Sequence, residues 1–409
     1  MLYTQLRFSS PSAPMPQPNR ALTALLVCLA ALAGVTLADP AHGLEDFDRH
    51  FRSTLIEHGV PGGAYAVVRN GRIERVGTHG VRRVGSPEPV TADTVFRTAS
   101  VSKTFAAQLT SLLVAENRLR WDDAVTHYLP EFRLQDVEST RQLQLQHLVG
   151  QSTGVVSNAY DNLLNANQPL DRILPQFASL QPLCQPGTCY TYQNVLFALV
   201  GPAIEQSTGQ RYEDLLAERL FQPLGMRRAS TGRAAFLAES NRASPHVRLA
   251  RGQVWHPVEV AESYYLVPPA AGVNANVLDL ARWLIAQQGY RPDVLSPDVI
   301  RPLKEKRVRT LRDLRRGAWR DLLSDAHYGL GWRIYTLGDE DLYLHSGWVR
   351  GFVADISYSQ ERKTGLVVLL NGESRALSEI TTGFWSHETA APLPRMLVGS
   401  GPDKAELSR

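Results

Sequence analysis

The strand-forming segments of this sequence lie near its two ends, and this distribution constrains the fold more than any other feature. Two apolar runs flank Asn70-Gly71, a dipeptide typical of a tight two-residue hairpin. Strand-like runs return after Trp332, whereas residues 141–286 are mostly helical or loop-like. The predicted strands are Ala64–Val68, Ile73–Val76, Leu342–Leu344, Phe352–Tyr358 and Leu366–Leu370. We therefore predict a mixed α/β (α+β) fold, in which both ends of the chain build one antiparallel sheet around an inserted, mainly helical subdomain.

Helices are predicted to flank this sheet. Apolar residues that recur with a helical period predict one helix over residues 44–58 and another over 104–117, and a closing helix is predicted over 374–385. The predicted domain covers residues 44–385. Residues 386–409 are rich in proline, glycine and charge, and we expect a flexible tail there.

The first 38 residues have the pattern of an export signal. Arg20 precedes an apolar run from Ala21 to about Ala33, and Thr36-Leu37-Ala38 offers small residues where a signal peptidase cuts. We predict a signal peptide over 1–38, with Met15 as an alternative start, and a periplasmic or secreted protein. The alternative is an uncleaved membrane anchor.

The two cysteines beyond this segment agree with export. Cys184 and Cys189 flank the turn dipeptide Pro186-Gly187, so the loop can bring their sulfur atoms together. A disulfide is favoured over free thiols in an oxidising compartment. No metal site is predicted here, because no pair of histidines lies nearby at ligand spacing.

Charge excludes one class of partner and leaves another open. The net charge of +3 and the lack of a basic stripe interleaved with aromatic residues exclude nucleic acid as the expected partner. Residues 301–320 are strongly basic, which permits peripheral contact with anionic lipid or an acidic polymer of the cell envelope. We favour the simpler interpretation, a solvated helix or insertion. The oligomeric state is not readable from the sequence.

Candidate chemistry begins at Ser100, which directly precedes a predicted helix. Backbone N–H groups and the positive end of the helix dipole stabilise an oxyanion at such a position. Lys103 shares the helix face of Ser100, and a desolvated amine there could take the serine proton. A capping serine beside a surface lysine is the common alternative for this spacing. Ser102 is expected to make only local hydrogen bonds.

Two further motifs follow along the chain. Tyr192 and Asn194 lie two residues apart, so an extended backbone turns both side chains to one side, where a phenol can share a proton with an ammonium. The alternative is a tyrosine and an asparagine packed under a loop. His345-Ser346-Gly347 is predicted to open a substrate-binding strand.

These motifs occur in an order that resembles one known superfamily. The segment Phe96–Phe105 is similar to the nucleophile motif of the penicillin-recognising serine hydrolases, which include class C β-lactamases, D-Ala-D-Ala carboxypeptidases and related esterases. The resemblance covers residues 44–385 and implies a β-lactamase/transpeptidase-like fold. Other segments that resemble motifs of this superfamily are Val60–Gly62, Trp121–Asp123, Tyr128–Glu131, Leu148–Gly154, Pro186–Thr188, Phe221–Met226, Asp279–Arg282 and Tyr328–Trp332.

The resemblance also implies a role for each motif residue. Ser100 would be the acylated nucleophile, Lys103 its base, and Tyr192 the proton relay to the leaving group. Asn194 would position lysine and substrate. The strand with His345, Ser346 and Gly347 would line the cleft, and the N–H groups of Ser100 and Trp348 would form the oxyanion hole. The expected substrate is a small molecule or a peptide, and no cofactor is implied.

One motif departs from the β-lactamase pattern. His345 stands where those enzymes usually have lysine, so the attraction for a substrate carboxylate should be weaker, which favours a peptidase or esterase. Lys363-Thr364-Gly365 is a rival match that we reject, because it lies in a predicted polar turn. Gln151 replaces a more usual histidine, and the sequence does not explain this change.

Three hypotheses remain from the sequence. The first is an exported serine hydrolase that acts on a peptidoglycan-type peptide, an ester or a β-lactam. The second is a penicillin-binding or sensing protein that is acylated but turns over poorly. The third, an unrelated hydrolase with a nucleophile elbow, is not favoured.

Overall fold

A computed structural model describes residues 40–249, 254–315 and 317–390. The chain divides into two units, residues 1–46 and 47–409. The first unit contributes only the beginning of helix α1 (Pro40–Glu57) to the described residues, and the predicted signal peptide over 1–38 lies outside them. In the described ranges, no helix is both long and apolar enough to cross a membrane.

The second unit is organised around an eight-stranded sheet with the order β2-β1-β13-β12-β11-β10-β9-β8. β1 pairs antiparallel with β2 and also with β13, where Gly63 lies opposite Leu370. The predicted sheet from both ends of the chain is therefore confirmed. Its strands are β1 (Gly62–Arg69), β2 (Arg72–Gly80), β8 (Val308–Arg309), β9 (Asp325–Tyr328), β10 (Arg333–Leu337), β11 (Glu340–Val349), β12 (Phe352–Ser359) and β13 (Thr364–Leu370).

The hairpin between β1 and β2 forms as its sequence predicts. Asn70 and Gly71 adopt φ angles of +48° and +73°, the left-handed values that the tightest hairpin turns require. Such a turn matches the twist of the flanking strands, so the Asn-Gly pair fixes the register of the first two strands.

Both faces of the sheet are covered. On one face, Ala64, Ala66 and Val68 of β1 join the main core, onto which helix α13 (Val277–Ile285) packs. On the other face, Tyr65 packs against Phe51, with 4.8 Å between ring centroids. The central strands β1, β12 and β13 therefore lack the alternation of a half-exposed sheet, whereas the edge strand β2 is largely exposed or half-buried.

The inserted region consists mainly of short helices, as predicted. It also contains small strands that the sequence analysis missed: β4 (Ser230–Thr231), β5 (His246–Arg248), β6 (Trp255–Pro257) and β7 (Val273–Ala275), with β3 (Phe96–Arg97) pairing to β7. The helices are α1 (Pro40–Glu57), α2 (Ser102–Ala115), α3 (Val125–Tyr128), α4 (Val137–Gln142), α5 (Leu145–Val149), α6 (Asp161–Asn165), α7 (Leu170–Ile173), α8 (Val195–Ala198), α9 (Val200–Thr208), α10 (Tyr212–Leu216), α11 (Arg233–Ala238), α12 (Pro268–Ala271), α13 (Val277–Ile285), α14 (Pro297–Ile300) and α15 (Ala376–Ala390).

Two predicted boundaries are wrong. The closing helix α15 runs to Ala390, so residues 386–390 belong to it and not to a tail; residues 391–409 lie outside the described residues. His345-Ser346-Gly347 does not open a strand but lies inside β11. The helix is longer because its last turn is also held against the sheet: Glu388 is ion-paired with Arg69 of β1, and Arg362 donates to the Thr389 carbonyl at 3.4 Å.

The basic stretch over 301–320 is not a continuous helix. It contains single 3-10 turns and the edge strand β8. Several of its cations pair with acidic neighbours: Lys306 Nζ lies 2.8 Å from Asp341, and Arg309 Nε lies 2.8 Å from Asp325. These pairs support the interpretation of the stretch as a solvated insertion.

Candidate active site

Ser100 lies in a strained turn at the start of the longest helix of the inserted region. It belongs to a one-turn 3-10 helix, Ala99–Val101, which leads directly into α2. Ala99 has a φ of +50°, a left-handed value that costs a residue with a Cβ atom about 1 kcal/mol. The first N–H groups of a helix have no partner within it, so this turn directs polar hydrogens toward whatever approaches Ser100.

Strand β7 holds this turn in place. The N–H and the hydroxyl of Thr98 both donate to the Val273 carbonyl, at 3.1 and 2.8 Å. Ser102 Oγ accepts from the Val273 N–H at 2.9 Å and donates to the Ala99 carbonyl at 2.6 Å. Ser102 thus makes the local hydrogen bond that its sequence position predicts, and it also fastens the turn to β7.

Strand β11 lies directly against the nucleophile turn at Gly347. A Cβ atom at this position would come within 2.1 Å of the Thr98 carbonyl oxygen and 3.1 Å of the Ser100 nitrogen. Only glycine permits this approach. The backbone of β11 therefore borders Ser100, where the sequence analysis places the oxyanion hole.

Lys103 is the centre of the site. Its side chain is fully buried, and Nζ lies 3.3 Å from Ser100 Oγ. Nζ donates to Asn194 Oδ1 at 2.7 Å and to the Ala270 carbonyl at 3.0 Å. Burial lowers the pKa of Lys103 to about 7, against the opposing effect of the Asp161 carboxylate. A neutral amine is therefore available near pH 7 beside the serine hydroxyl.

Tyr192 and Asn194 both reach this amine, as their spacing predicts. The Tyr192 ring centroid lies 4.8 Å from Lys103 Nζ. Gln151 explains how this segment is held: its carbonyl accepts from Thr191 N, its Oε1 accepts from Gln193 N, and its Nε2 donates to the Gln193 carbonyl. The glutamine that the sequence could not explain thus binds the backbone on both sides of Tyr192.

The predicted disulfide between Cys184 and Cys189 is present in the loop before Tyr192. Two backbone hydrogen bonds of 2.7 Å join this loop to the segment after Gln151. Leu183 N donates to the Gly154 carbonyl, and Gly187 N donates to the Ser152 carbonyl. The bridge therefore closes a short loop that supports the Tyr192 segment.

His345 is buried and is bound within the protein through both ring nitrogens. Nδ1 lies 3.0 Å from the Ser346 carbonyl, which can only accept, so Nδ1 carries the proton. Nε2 then accepts from the Tyr328 hydroxyl at 3.0 Å. Burial, together with the charges of Arg333 and Lys103, lowers the pKa of His345 well below its ordinary value. The ring is therefore neutral, in agreement with the weaker attraction for a carboxylate predicted from the sequence.

The side chains of Ser346 and Trp348 lie on the opposite face of β11 from the side chain of His345. Ser346 Oγ donates to Asp355 Oδ2 of β12 at 2.6 Å, and burial raises the pKa of this carboxyl to about 7. Trp348 exposes 57% of its surface, and its indole N–H donates to Glu373 at 2.8 Å. Glu373 also accepts from Gly351 N at 2.7 Å, so one carboxylate fixes the exposed indole next to the cleft strand.

Arg333 is a site residue that the sequence analysis missed. It is ion-paired with Asp313, and its guanidinium carbon lies 5.7–5.8 Å from the ring centroids of Tyr190, Tyr192 and Tyr328. It shares the Tyr192 ring with Lys103 and so places a permanent positive charge beside the neutral His345. The motif Tyr328–Trp332 ends one residue before it, and only strand pairing reveals where its side chain lies.

Asp161 is the second missed residue. Asn194 Nδ2 donates to Asp161 Oδ2 at 2.7 Å, and the Tyr264 hydroxyl donates to the same oxygen at 3.4 Å. Burial raises the pKa of Asp161, whereas the hydrogen bond from Asn194 and the charge of Lys103 lower it. No motif marks this residue, because it lies 33 residues before Asn194 and meets it only in the folded chain.

Two rival motifs do not form sites. The Gly150–Gly154 segment has the Gly-x-Ser-x-Gly spacing of a nucleophile elbow, but it follows helix α5, and its Ser152 is buried rather than presented on a strand-to-helix turn. Lys363 has a φ of +52° in the turn between β12 and β13, at the opposite end of those strands from Gly347. The second motif was rejected from the sequence, whereas the Gly-x-Ser-x-Gly spacing of residues 150–154 was missed there.

Comparisons with known proteins agree with this geometry. The Beta-lactamase family model matches residues 47–386. Penicillin-binding protein 4 of Amycolatopsis lactamdurans is 29% identical over 313 residues, which cover 76% of this chain and 79% of that protein. The Unguisins hydrolase ungD' of Aspergillus campestris is 25% identical, and the match covers 76% of this chain and 59% of that protein.

Solved structures show the same fold. The octameric penicillin-binding protein homologue from Pyrococcus abyssi superposes with a TM-score of 0.75 at 22% identity, over 85% of this chain and 77% of that one. The D-stereospecific amidohydrolase from Streptomyces sp. superposes with a TM-score of 0.66 at 21% identity, over 82% of this chain and 96% of that one. The predicted β-lactamase/transpeptidase-like fold is confirmed.

Proposed function

The chain belongs to the Beta-lactamase family of serine hydrolases, and on that premise we propose that it cleaves an amide or ester bond through an acyl-enzyme on Ser100. The observation that carries this proposal is the environment of Lys103. Its amine lies 3.3 Å from Ser100 Oγ, is fully buried, and has a pKa lowered to about 7. A general base works best when its pKa is near the working pH.

Acylation follows from these contacts. Neutral Lys103 takes the proton of Ser100 Oγ as the oxygen bonds to the substrate carbonyl carbon. The charge that develops on the carbonyl oxygen is stabilised by the N–H groups of Ser100 and Trp348. The proton then passes to the leaving amine or alcohol, with Tyr192 as the relay, and the bond to the leaving group breaks.

Deacylation uses the same groups in reverse. A water molecule loses a proton to the Lys103 and Tyr192 pair, attacks the acyl carbon and releases the acid, and Ser100 regains its proton. Asn194 holds the amine in reach of both steps, because its carbonyl oxygen accepts from Nζ at 2.7 Å.

We propose substrates that carry a carboxylate, such as a peptidoglycan-type peptide or a β-lactam, beside simple esters. His345 is neutral, so Arg333 is the cation on the strand side of the cleft among the described residues that surround Tyr192. A guanidinium binds a carboxylate through paired hydrogen bonds. Its ion pair with Asp313 leaves only part of its donor set for a substrate, which favours modest selectivity.

We also propose that the protein works outside the cytoplasm. The disulfide of Cys184 and Cys189 fits an oxidising compartment, and residues 1–38 have a signal-peptide pattern. Fractionation of cells that express the full chain tests this, with the intact mass as readout: an extracytoplasmic product that lacks residues 1–38 is expected, and a cytoplasmic product of full mass contradicts it.

A penicillin-binding or sensing protein is the second candidate, because a relative that matches over most of both chains is named a penicillin-binding protein. Such a protein would form the same acyl-enzyme but release it slowly. The active-site chemistry is shared, so only the lifetime of the acyl-enzyme separates the two functions.

One experiment tests both candidates. The protein is incubated with benzylpenicillin and, separately, with p-nitrophenyl acetate, and intact mass and product release are followed over time. Ser100→Ala should abolish the adduct and ester turnover, whereas the exposed Ser53→Ala should change neither. A Ser100-dependent adduct that decays supports the hydrolase, and one that persists supports the second candidate. Turnover that survives Ser100→Ala would overturn the mechanism.

A further inference from the structure

Asp161 occupies a position that the acyl-transfer mechanism leaves without a role. It begins the short helix α6, directly after Tyr160, which has a left-handed φ of +60°. One carboxylate oxygen, Oδ2, accepts from Asn194 Nδ2 at 2.7 Å and from Tyr264 at 3.4 Å. The other, Oδ1, is buried and accepts no hydrogen bond from the residues that the structure describes. Burial of a carboxylate is costly unless it is hydrogen-bonded, so the bonds from Asn194 and Tyr264 are what hold Asp161 in this place.

The contact with Asn194 determines which way its amide faces. An amide has one accepting end and one donating end, and the two point in opposite directions. Asp161 can only accept from it, so Nδ2 is drawn toward Asp161 and Oδ1 is directed toward Lys103 Nζ, 2.7 Å away. With the amide reversed, its N–H₂ group would face the lysine amine, and the contact that holds Nζ next to Ser100 would be lost.

The charge of Asp161 acts on Lys103 as well. Asp161 raises the pKa of Lys103, whereas Arg333 lowers it. Lys103 in turn lowers the pKa of His345, which is neutral and adds no charge, and the Tyr192 ring lies 4.8 Å from Nζ. Of these neighbours from α6, β10, β11 and the segment before α8, Asp161 is the one that favours the protonated amine.

We propose that Asp161 is a positioning residue of this active site, which orients the Asn194 amide and, through its charge, sets the pH at which Lys103 can act as a base. The inference rests on the proposed function, because it needs Lys103 to accept the Ser100 proton. Asp161 touches neither the nucleophile nor a reacting atom, and it acts only through Asn194 and through its electrostatic field.

Two substitutions separate the two effects. Asp161→Asn removes the charge but keeps a carbonyl oxygen that can accept from Asn194 Nδ2. Asp161→Ala removes both the charge and the acceptor. The control is Asp171→Asn, the same exchange on the exposed surface of helix α7. The probe is p-nitrophenyl acetate, and the readouts are kcat/KM and the pre-steady-state burst of p-nitrophenol from pH 5 to 9, with thermal unfolding of each variant.

The expected results differ between the variants. In Asp161→Asn, the acid limb of kcat/KM should move to lower pH by about one unit, because loss of a nearby negative charge disfavours protonated Lys103. In Asp161→Ala, the limb should move in the same direction and the plateau should also fall about tenfold or more, because the amide is no longer oriented. Asp171→Asn should keep the wild-type limb and plateau.

The outcomes are distinguishable from failure of the proposed function. A burst that survives Ser100→Ala, or that is absent in the wild-type protein, overturns the proposed function and this inference together. A Ser100-dependent burst with the same acid limb in wild type and Asp161→Asn overturns this inference alone. A purely structural role for Asp161 would lower the unfolding temperature and the plateau at all pH values, and would leave the limb where it is.

Discussion

Two cations, Lys103 and Arg333, lie within 6 Å of the centroid of the Tyr192 ring, at 4.8 and 5.8 Å, and they are held in different ways. Lys103, on the helical side, contacts neutral oxygens: the Asn194 amide, the Ala270 carbonyl and the Ser100 hydroxyl. Arg333, on the sheet side, is paired directly with the Asp313 carboxylate.

This difference in contacts determines which of the two cations can lose its proton near pH 7. A buried amine without a directly paired carboxylate loses its proton easily, and the pKa of Lys103 is lowered to about 7. A guanidinium beside a carboxylate stays charged at all pH values of interest. We infer that the helical side moves protons and that the sheet side supplies a fixed field for substrate recognition.

Removal of the helical cation should have the largest effect. We expect Lys103→Met to lower kcat/KM for p-nitrophenyl acetate by roughly a thousandfold or more, because general-base catalysis is lost. Lys363→Met removes a lysine from the remote turn between β12 and β13 and should leave the rate unchanged. Lys103→Met with near wild-type activity would show that another group is the base.

Removal of the sheet cation should have a smaller and more selective effect. Arg333→Met should raise KM for a carboxylate-bearing β-lactam by roughly tenfold to a hundredfold, the value of one or two hydrogen bonds to a charged group. The same variant should change KM for neutral p-nitrophenyl acetate far less. Arg333→Lys keeps the charge, so its KM for the β-lactam should lie between those of the wild-type protein and Arg333→Met. Equal losses for both substrates would mean that Arg333 only supports the fold, through its pair with Asp313.

The wild-type pH profile sharpens the contrast between the two cations. Lys103 must be neutral to accept a proton, and its pKa is lowered to about 7. Activity should therefore rise with pH through about 7, with a tenfold fall for each unit below that value. Measurement of kcat/KM for the ester between pH 5 and 9 checks this. A rate that falls as pH rises through 7 would require the protonated lysine and would reverse the assignment.

The disulfide should have the smallest effect on chemistry. Replacement of Cys184 and Cys189 by serine should cost about 2 kcal/mol of stability, the value for closing a short loop, and should lower activity only modestly, because Gln151 and the backbone bonds still hold the Tyr192 segment. Thermal unfolding with and without reductant measures the first effect, and the ester assay measures the second. A complete loss of activity in a folded variant would make the bridge part of the site.

Local patterns predicted some elements of this molecule well. The β1–β2 hairpin is set by two residues with left-handed φ angles, so Asn70-Gly71 predicts it without tertiary information. The helix after Ser100 and the strands after Phe352 likewise follow from short apolar patterns. Strands β8, β9 and β10 were missed, since β8 is only two residues long and Asp325–Tyr328 has a mixed, half-buried pattern.

The residues of the site divide in the same way, into those that short motifs predict and those that only the folded chain reveals. Ser100, Lys103, Tyr192 and Asn194 lie in short motifs, and the structure brings all four together. Ser346 was predicted with them, yet its hydroxyl is directed to Asp355, because successive side chains of a strand face opposite ways. The partners of the site, Asp161 and Arg333, depend on loop and strand placement, which no short pattern encodes.

The pairing of β1 with β13 has a consequence for how the chain acquires its structure. Gly63 and Leu370 are neighbours in the sheet but are separated by most of the chain, and such long-range contacts make folding slow. A chain that is still being synthesised presents the edge of its first hairpin unpaired until residue 370 has emerged. Until then that edge is open to other strands, so we expect prolonged need of chaperone protection and little resistance to proteases in any shorter fragment.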